Sequence, residues 1–229
     1  MSMQRFLFPR WINKFLALVG VSIAGGVLYG SVLFLGATDP ETLNTGYRPE
    51  QPVPFSHALH AGELKMDCRY CHNSVDKSAH SSIPPTQTCI NCHSPKTSAG
   101  APALSAIHSE SPKLKPVHES WRTGESVDWV RIHRLPDYVY FNHSIHIARG
   151  VSCVTCHGRV DQMEIVYQAE NQSMTWCIDC HRNPEPHLRP VSEVTNLAWT
   201  KEMSPDFDPK QHMLQNNIKP QTNCAVCHR

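Results

Sequence analysis

The chain has 229 residues and a formal net charge of +1, from 21 Lys and Arg against 20 Asp and Glu. That balance excludes a mainly electrostatic nucleic-acid binder, which needs a cationic excess. Apolar residues make up 40%, alongside 18 Pro and 11 Gly. Part of that apolar share sits in one N-terminal run, so the remainder is too poor in aliphatic side chains for an ordinary core.

In chain order, the first element is that run. No charged residue lies between Lys14 and Asp39, and Phe15 to Gly36 is almost wholly apolar. As a helix it rises about 33 Å, enough to cross the hydrocarbon layer. Arg5, Arg10 and Lys14 precede it, while Asp39 and Glu41 follow. The positive-inside rule therefore puts residues 1–14 in the cytoplasm, makes 15–36 a single-pass anchor in the cytoplasmic membrane, and puts the rest on the periplasmic side. A cleaved signal peptide has a shorter apolar region and a small-x-small cleavage site, and no convincing one stands before Asp39. Ser22, Gly26 and Gly30 form a stripe of small side chains at four-residue spacing, which suits close approach of another membrane helix.

Two segments beyond the anchor repeat one pattern. Pro54-Phe55-Ser56-His57-Ala58-Leu59-His60, with Gly62 after it, precedes Cys68-Arg69-Tyr70-Cys71-His72. Tyr140-Phe141-Asn142-His143-Ser144-Ile145-His146, with Gly150 after it, precedes Cys153-Val154-Thr155-Cys156-His157. Each repeat is followed by another pair, Cys89-Ile90-Asn91-Cys92-His93 and Cys177-Ile178-Asp179-Cys180-His181, and the chain ends near Cys224-Ala225-Val226-Cys227-His228. Ser94 to Ser120 is rich in Ser, Pro, Ala and Lys without clear periodicity and reads as a linker. The simplest parse is a two-haem module with linker over 37–120 and a three-haem module over 121–229.

The word haem follows from the cysteines. All ten fall into five C-x-x-C-H motifs, the attachment signature of c-type haem: two thiols bond the two vinyl groups of one porphyrin, and the next residue, His, is the proximal iron ligand. A disulfide framework does not demand His after every second Cys. A structural zinc site needs no fixed Cys-His dipeptide, and a thioredoxin-like pair occurs once within a βαβ pattern that is absent here. Five covalent haems, each a large apolar plate, also supply the missing core. The expected fold class is a multihaem cytochrome c, mainly short α-helices and irregular coil around five haems, with one N-terminal transmembrane helix.

Ten further histidines remain. His57 and His60, like His143 and His146, stand at i and i+3, on one face of a helical turn, and can serve two closely packed haems. His133 and His187 are the candidates for a fifth distal ligand, with Met163, Met174, Met203 and Met213 as thioether alternatives. His80, His108, His118 and His212 lie in more polar or loop-like settings and read as solvated.

The F-x-H-x-x-H…C-x-x-C-H arrangement resembles the class III cytochromes, cytochrome c3 and c7, over about residues 52–93 and 138–181. That resemblance implies that His57 binds the haem of Cys68 and Cys71, that His143 binds that of Cys153 and Cys156, and that His60 and His146 bind haems not adjacent to them in sequence. The anchor, the five motifs, and stretches such as Tyr138-Val139-Tyr140-Phe141-Asn142-His143-Ser144 and Asn183-Pro184-Glu185-Pro186-His187 resemble the pentahaem subunit of bacterial alternative complex III. This likeness implies a quinol:electron-acceptor oxidoreductase with integral-membrane quinol-binding subunits, an iron–sulfur subunit and a monohaem cytochrome c as partners. The chain is then the wire, with no catalytic site and no small-molecule substrate of its own.

Two other functions compete. A single-anchor quinol dehydrogenase needs a proton acceptor near the membrane, for which Asp39, Glu41 or Glu63 are available. A multihaem reductase keeps one iron open, often where Lys replaces the motif His, and all five motifs here end in His.

Overall fold

The computed structural model describes residues 9, 11–38, 44–96 and 106–228. Arg5, Arg10, Asp39 and Glu41 lie outside the described residues, as do residues 97–105 of the Ser94–Ser120 stretch. Residues 1–43 and 44–229 are two separate compact units.

In the first unit, α1 spans Trp11–Ala37. It begins before Phe15 because Trp11 and Ile12 extend the apolar run, and at 27 residues it is about 40 Å long. Helix α1 is long and apolar enough to cross a membrane, and none of its residues is buried. A side chain built at Gly26 or Gly30 meets nothing, so the small-residue stripe is open.

Among the described residues, the second unit holds only short helices joined by coil: α2 Cys68–Cys71, α3 Thr86–His93, α4 Lys115–Thr123, α5 His143–Ala148, α6 Cys153–His157, α7 Met174–Arg182, α8 Pro209–Gln215 and α9 Cys224–Cys227. Two isolated β-bridges, His93 with Ala106 and Val151 with Leu188, are the strand-like pairings among them. The motif helices are short because each needs one turn to put Cys i and Cys i+3 on one face. Local chemistry starts them: Asp67 accepts from the Arg69 amide, Ser152 from Val154 and Ser173 from Trp176, which satisfies amides that a helix start otherwise leaves unpaired.

Packing corrects one expectation. The stretch read as a linker contains most of α4, whose Val117 and Ser120 are buried. Val117 joins Val53 and Ile90 of α3, with Leu114, Val127 and Trp129 around them. Thr86 and Ser120 share a 2.7 Å hydroxyl contact, and Ser120 donates to the Glu125 carbonyl at 2.6 Å. Gly124, left-handed at φ +80°, ends the helix. Two prolines hid this element, yet Pro116 sits in its first turn, where a missing amide costs no helical bond.

The repeat glycines are where backbone approaches backbone. The first repeat forms a π-helical turn, Ala58–Glu63, packed on the 3-10 turn Val160–Gln162, and the Ala58 amide donates to the Met163 carbonyl at 3.1 Å. A Cβ at Gly62 collides with the Asp161 carbonyl. At Gly150, with φ +88°, it collides with the Arg189 carbonyl. We therefore expect Gly62→Ala and Gly150→Ala each to destabilise the haem-loaded chain by more than about 1 kcal/mol. Gly124→Ala, strained in φ but with open space around it, loses less, as thermal unfolding will show.

Candidate functional site

The haem region lacks its own filling. Among the described residues the buried apolar side chains are Val53, Ile90, Val117, Met163, Leu188 and Val194, far too few for a compact unit of this length. None of the ten cysteines is in a disulfide. Burial is the main cause that raises Cys71, Cys89, Cys177 and Cys180, and it pushes Cys156 up to about 12.

The motif histidines share one device. Each of four has its Nδ1 on a backbone carbonyl: His72 on Ser82 at 3.1 Å, His93 on Ile107 at 2.7 Å, His181 on Gln221 at 2.7 Å and His228 on Tyr138 at 3.2 Å. A carbonyl only accepts, so Nδ1 carries the proton and Nε2 keeps its lone pair. That hydrogen bond fixes both the tautomer and the ring direction a metal ligand needs. In the remaining motif histidine, His157, Nδ1 lies 3.2 Å from Nε2 of His133.

The repeat histidines are prepared alike. Nδ1 of His60 donates to the Ser56 carbonyl at 2.8 Å, that of His143 to Ala79 at 2.9 Å and that of His146 to Asn142 at 2.7 Å. His57 Nδ1 is buried without a partner. Phe55 lies flat on His60 at 4.3 Å and edge-on to His57 at 4.8 Å. Phe141 does the same to His146 at 4.5 Å and His143 at 4.8 Å. This phenylalanine, a mere mark of the repeat in the sequence, is the shelf that sets both rings.

Burial favours the neutral form, which iron ligation requires, at five imidazoles here. It pushes His57 and His133 down to about 4 and His157 down to about 3, with neighbouring histidines adding to the effect, and it also lowers His143 and His146.

These residues fit covalent haem. An imidazole nitrogen sits about 2 Å from a first-row metal, so two imidazoles on opposite sides of one iron stand with ring centres roughly 6.4 Å apart. His60 and His93 are 6.2 Å apart, His143 and His157 6.4 Å, and His146 and His181 6.2 Å. His72 acts electrostatically on His57. His108 also lies 6.4 Å from His93, but it follows Ile107, whose carbonyl holds the Nδ1 edge of His93.

The remaining residues sort by geometry. Nε2 of His118 points to the His93 carbonyl at 2.8 Å and that of His212 to the Arg149 carbonyl at 3.0 Å, so each spends the nitrogen that the repeat histidines keep free. His80 and His108 are exposed. His187 lines a cavity of about 480 Å³ with Trp176, Asp179, Cys180, Arg182 and Asn183. Met163 is buried, with its methyl group 3.5 Å from a Cβ built at Gly158, while Met174 and Met203 are exposed. Glu63 ends the first-repeat turn and is exposed.

The motifs also touch one another. Cys68 and Cys153 are within electrostatic range of one another. Cys71 is within electrostatic range of Cys89 and Cys92, Cys156 of Cys177 and Cys180, and Cys177 of Cys227. This adjacency strings the motifs in the order two, one, three, four, five.

Removing the aromatic shelf should loosen two rings at once. Phe141→Ala is expected to cost about 1–3 kcal/mol in the haem-loaded chain, and thermal melts followed at the Soret band check it.

Comparison with known proteins agrees with this geometry. Residues 36–122 match the class III cytochrome C family, and residues 139–229 match the family described as cytochrome c7 and related cytochrome c. The chain is 27% identical over 180 residues to the menaquinone reductase multiheme cytochrome c subunit of Nitratidesulfovibrio vulgaris, covering 70% of this chain and 79% of that one.

Proposed function

We propose that this multihaem cytochrome c is a pentahaem electron relay, anchored by α1 with its haem region in the periplasm, within a membrane quinol oxidoreductase of the alternative complex III type. Its partners there are integral-membrane quinol-binding subunits, an iron–sulfur subunit and a monohaem cytochrome c. The observation that carries this reading is the set of facing imidazoles at the separation of a six-coordinate iron. The relationship to a menaquinone reductase subunit supports the quinone-linked setting.

When bound, each bis-histidine haem takes up and releases single electrons without offering an open coordination position. The chain's own residues do the rest. Cys68 and Cys71, Cys89 and Cys92, Cys153 and Cys156, Cys177 and Cys180, and Cys224 and Cys227 hold the five macrocycles. His72, His93, His157, His181 and His228 would each ligate the iron of the haem attached to its own motif. His57 pairs with His72, His60 with His93, His143 with His157 and His146 with His181. His187, in its cavity beside Cys180, would be the second histidine for the haem of Cys224 and Cys227. The motif order two, one, three, four, five is the path: the step from motif one to motif three, where Cys68 and Cys153 are within electrostatic range, joins the two repeats, and its ends lie in the two-haem and three-haem modules.

Two experiments test this. His146→Ala, examined by electron paramagnetic resonance in the oxidised chain, should turn one haem high-spin, whereas His118→Gln and His212→Gln should turn none. A menaquinol analogue should reduce the haems quickly in the complex isolated in mild detergent and at least about tenfold more slowly in the purified chain, a barrier difference of about 1.4 kcal/mol. Equal rates would move quinol oxidation onto this polypeptide, the single-anchor quinol dehydrogenase reading.

A further inference from the structure

One motif histidine is held unlike the others. The Nδ1 atoms of His72, His93, His181 and His228 all rest on backbone carbonyls. That of His157 faces Nε2 of His133 at 3.2 Å, with the two rings 4.3 Å apart and nearly perpendicular at 83°. His157 also has His143 parallel to it, 9° between planes and 6.4 Å between centres, so the iron side and the Nδ1 side of its ring face different histidines. The His133 backbone is held as well: Arg131 donates from Nε to its carbonyl at 3.2 Å.

We propose that His133 is a positioning residue of the third haem site, accepting the Nδ1–H of His157 at its own Nε2 and thereby setting that haem's potential apart from the other four. The proposal rests on the reading of His157 as an iron ligand. An imidazole ring nitrogen is a stronger hydrogen-bond base than an amide oxygen. It draws the His157 proton further, gives that ligand more imidazolate character and makes it a stronger donor to iron. A more basic ligand stabilises the ferric state, so this haem is the harder one to reduce. His133 sits ten residues before His143, and the spacing that made it a candidate iron ligand instead delivers it to the far edge of a ring that another residue already ligates.

The test uses the full-length, haem-loaded chain and its His133→Leu and His133→Gln variants, titrated potentiometrically with optical and paramagnetic resonance readouts. In His133→Leu one of the five midpoint potentials should move upward while the other four hold and every haem stays low-spin. In His133→Gln the side-chain carbonyl can accept the same proton and should return most of that shift. An unchanged set of midpoints in His133→Leu would reduce the contact to packing. A high-spin haem in that variant would make His133 an iron ligand and overturn the proposal. Peptide mass mapping of the unsubstituted chain checks the underlying reading separately, because a Cys153–Cys156 peptide without haem would remove the third site itself. Should His133→Leu fail to accumulate, the fully reduced, diamagnetic unsubstituted chain labelled with 15N-histidine gives an independent answer. One ligand N–H should show scalar coupling across a hydrogen bond to a second ring nitrogen, and its absence would contradict the assignment.

Discussion

The geometry of one helical turn governs the haem-binding unit. Two thiols three residues apart and an imidazole at the next position must leave the backbone on one side, and five such turns must then be brought close together. Short helices started by Asp67, Ser152 and Ser173 meet the first requirement. Histidine pairs reaching from elsewhere in the chain meet the second. A conventional core would compete for the space, and the sparse set of buried apolar side chains is what remains when flat cofactors are to do the filling.

Hydrogen bonding then converts proximity into function. A histidine whose Nδ1 proton is held by a carbonyl has a fixed tautomer and a directed Nε2. Three repeat histidines and four motif histidines have that arrangement. Phe55 and Phe141 stiffen it by covering one ring and buttressing another. The two repeats show almost the same ring geometry, and the motifs that follow them come within electrostatic range at Cys68 and Cys153. A chain of redox centres can thus be assembled by using one structural unit twice and adding a further motif at one end.

Much of this was legible in the residues. The C-x-x-C-H motifs are local and chemically demanding, the F-x-H-x-x-H repeats lie beside them, and the apolar run forms the long helix α1. What was hidden depends on contacts between distant segments. The collision that requires Gly62 involves Asp161, and the tie that orients His72 involves Ser82 across an irregular loop. Helix α4 was obscured because its stability comes from Val117 packing on Ile90 rather than from propensity, and Pro116 masked its start. His118 and His212 separate from the repeat histidines only by which ring nitrogen each has committed, a distinction no spacing encodes.

The central claim is that every iron in this chain is closed by two histidines, so that it conducts rather than reacts. Low-temperature magnetic circular dichroism of the oxidised, full-length chain tests it most directly. The near-infrared charge-transfer band reports the axial pair at each low-spin haem. The account predicts bands of bis-histidine type alone, integrating to five haems, and no change on adding cyanide. A high-spin component, a histidine–methionine band or a cyanide-induced shift would contradict it.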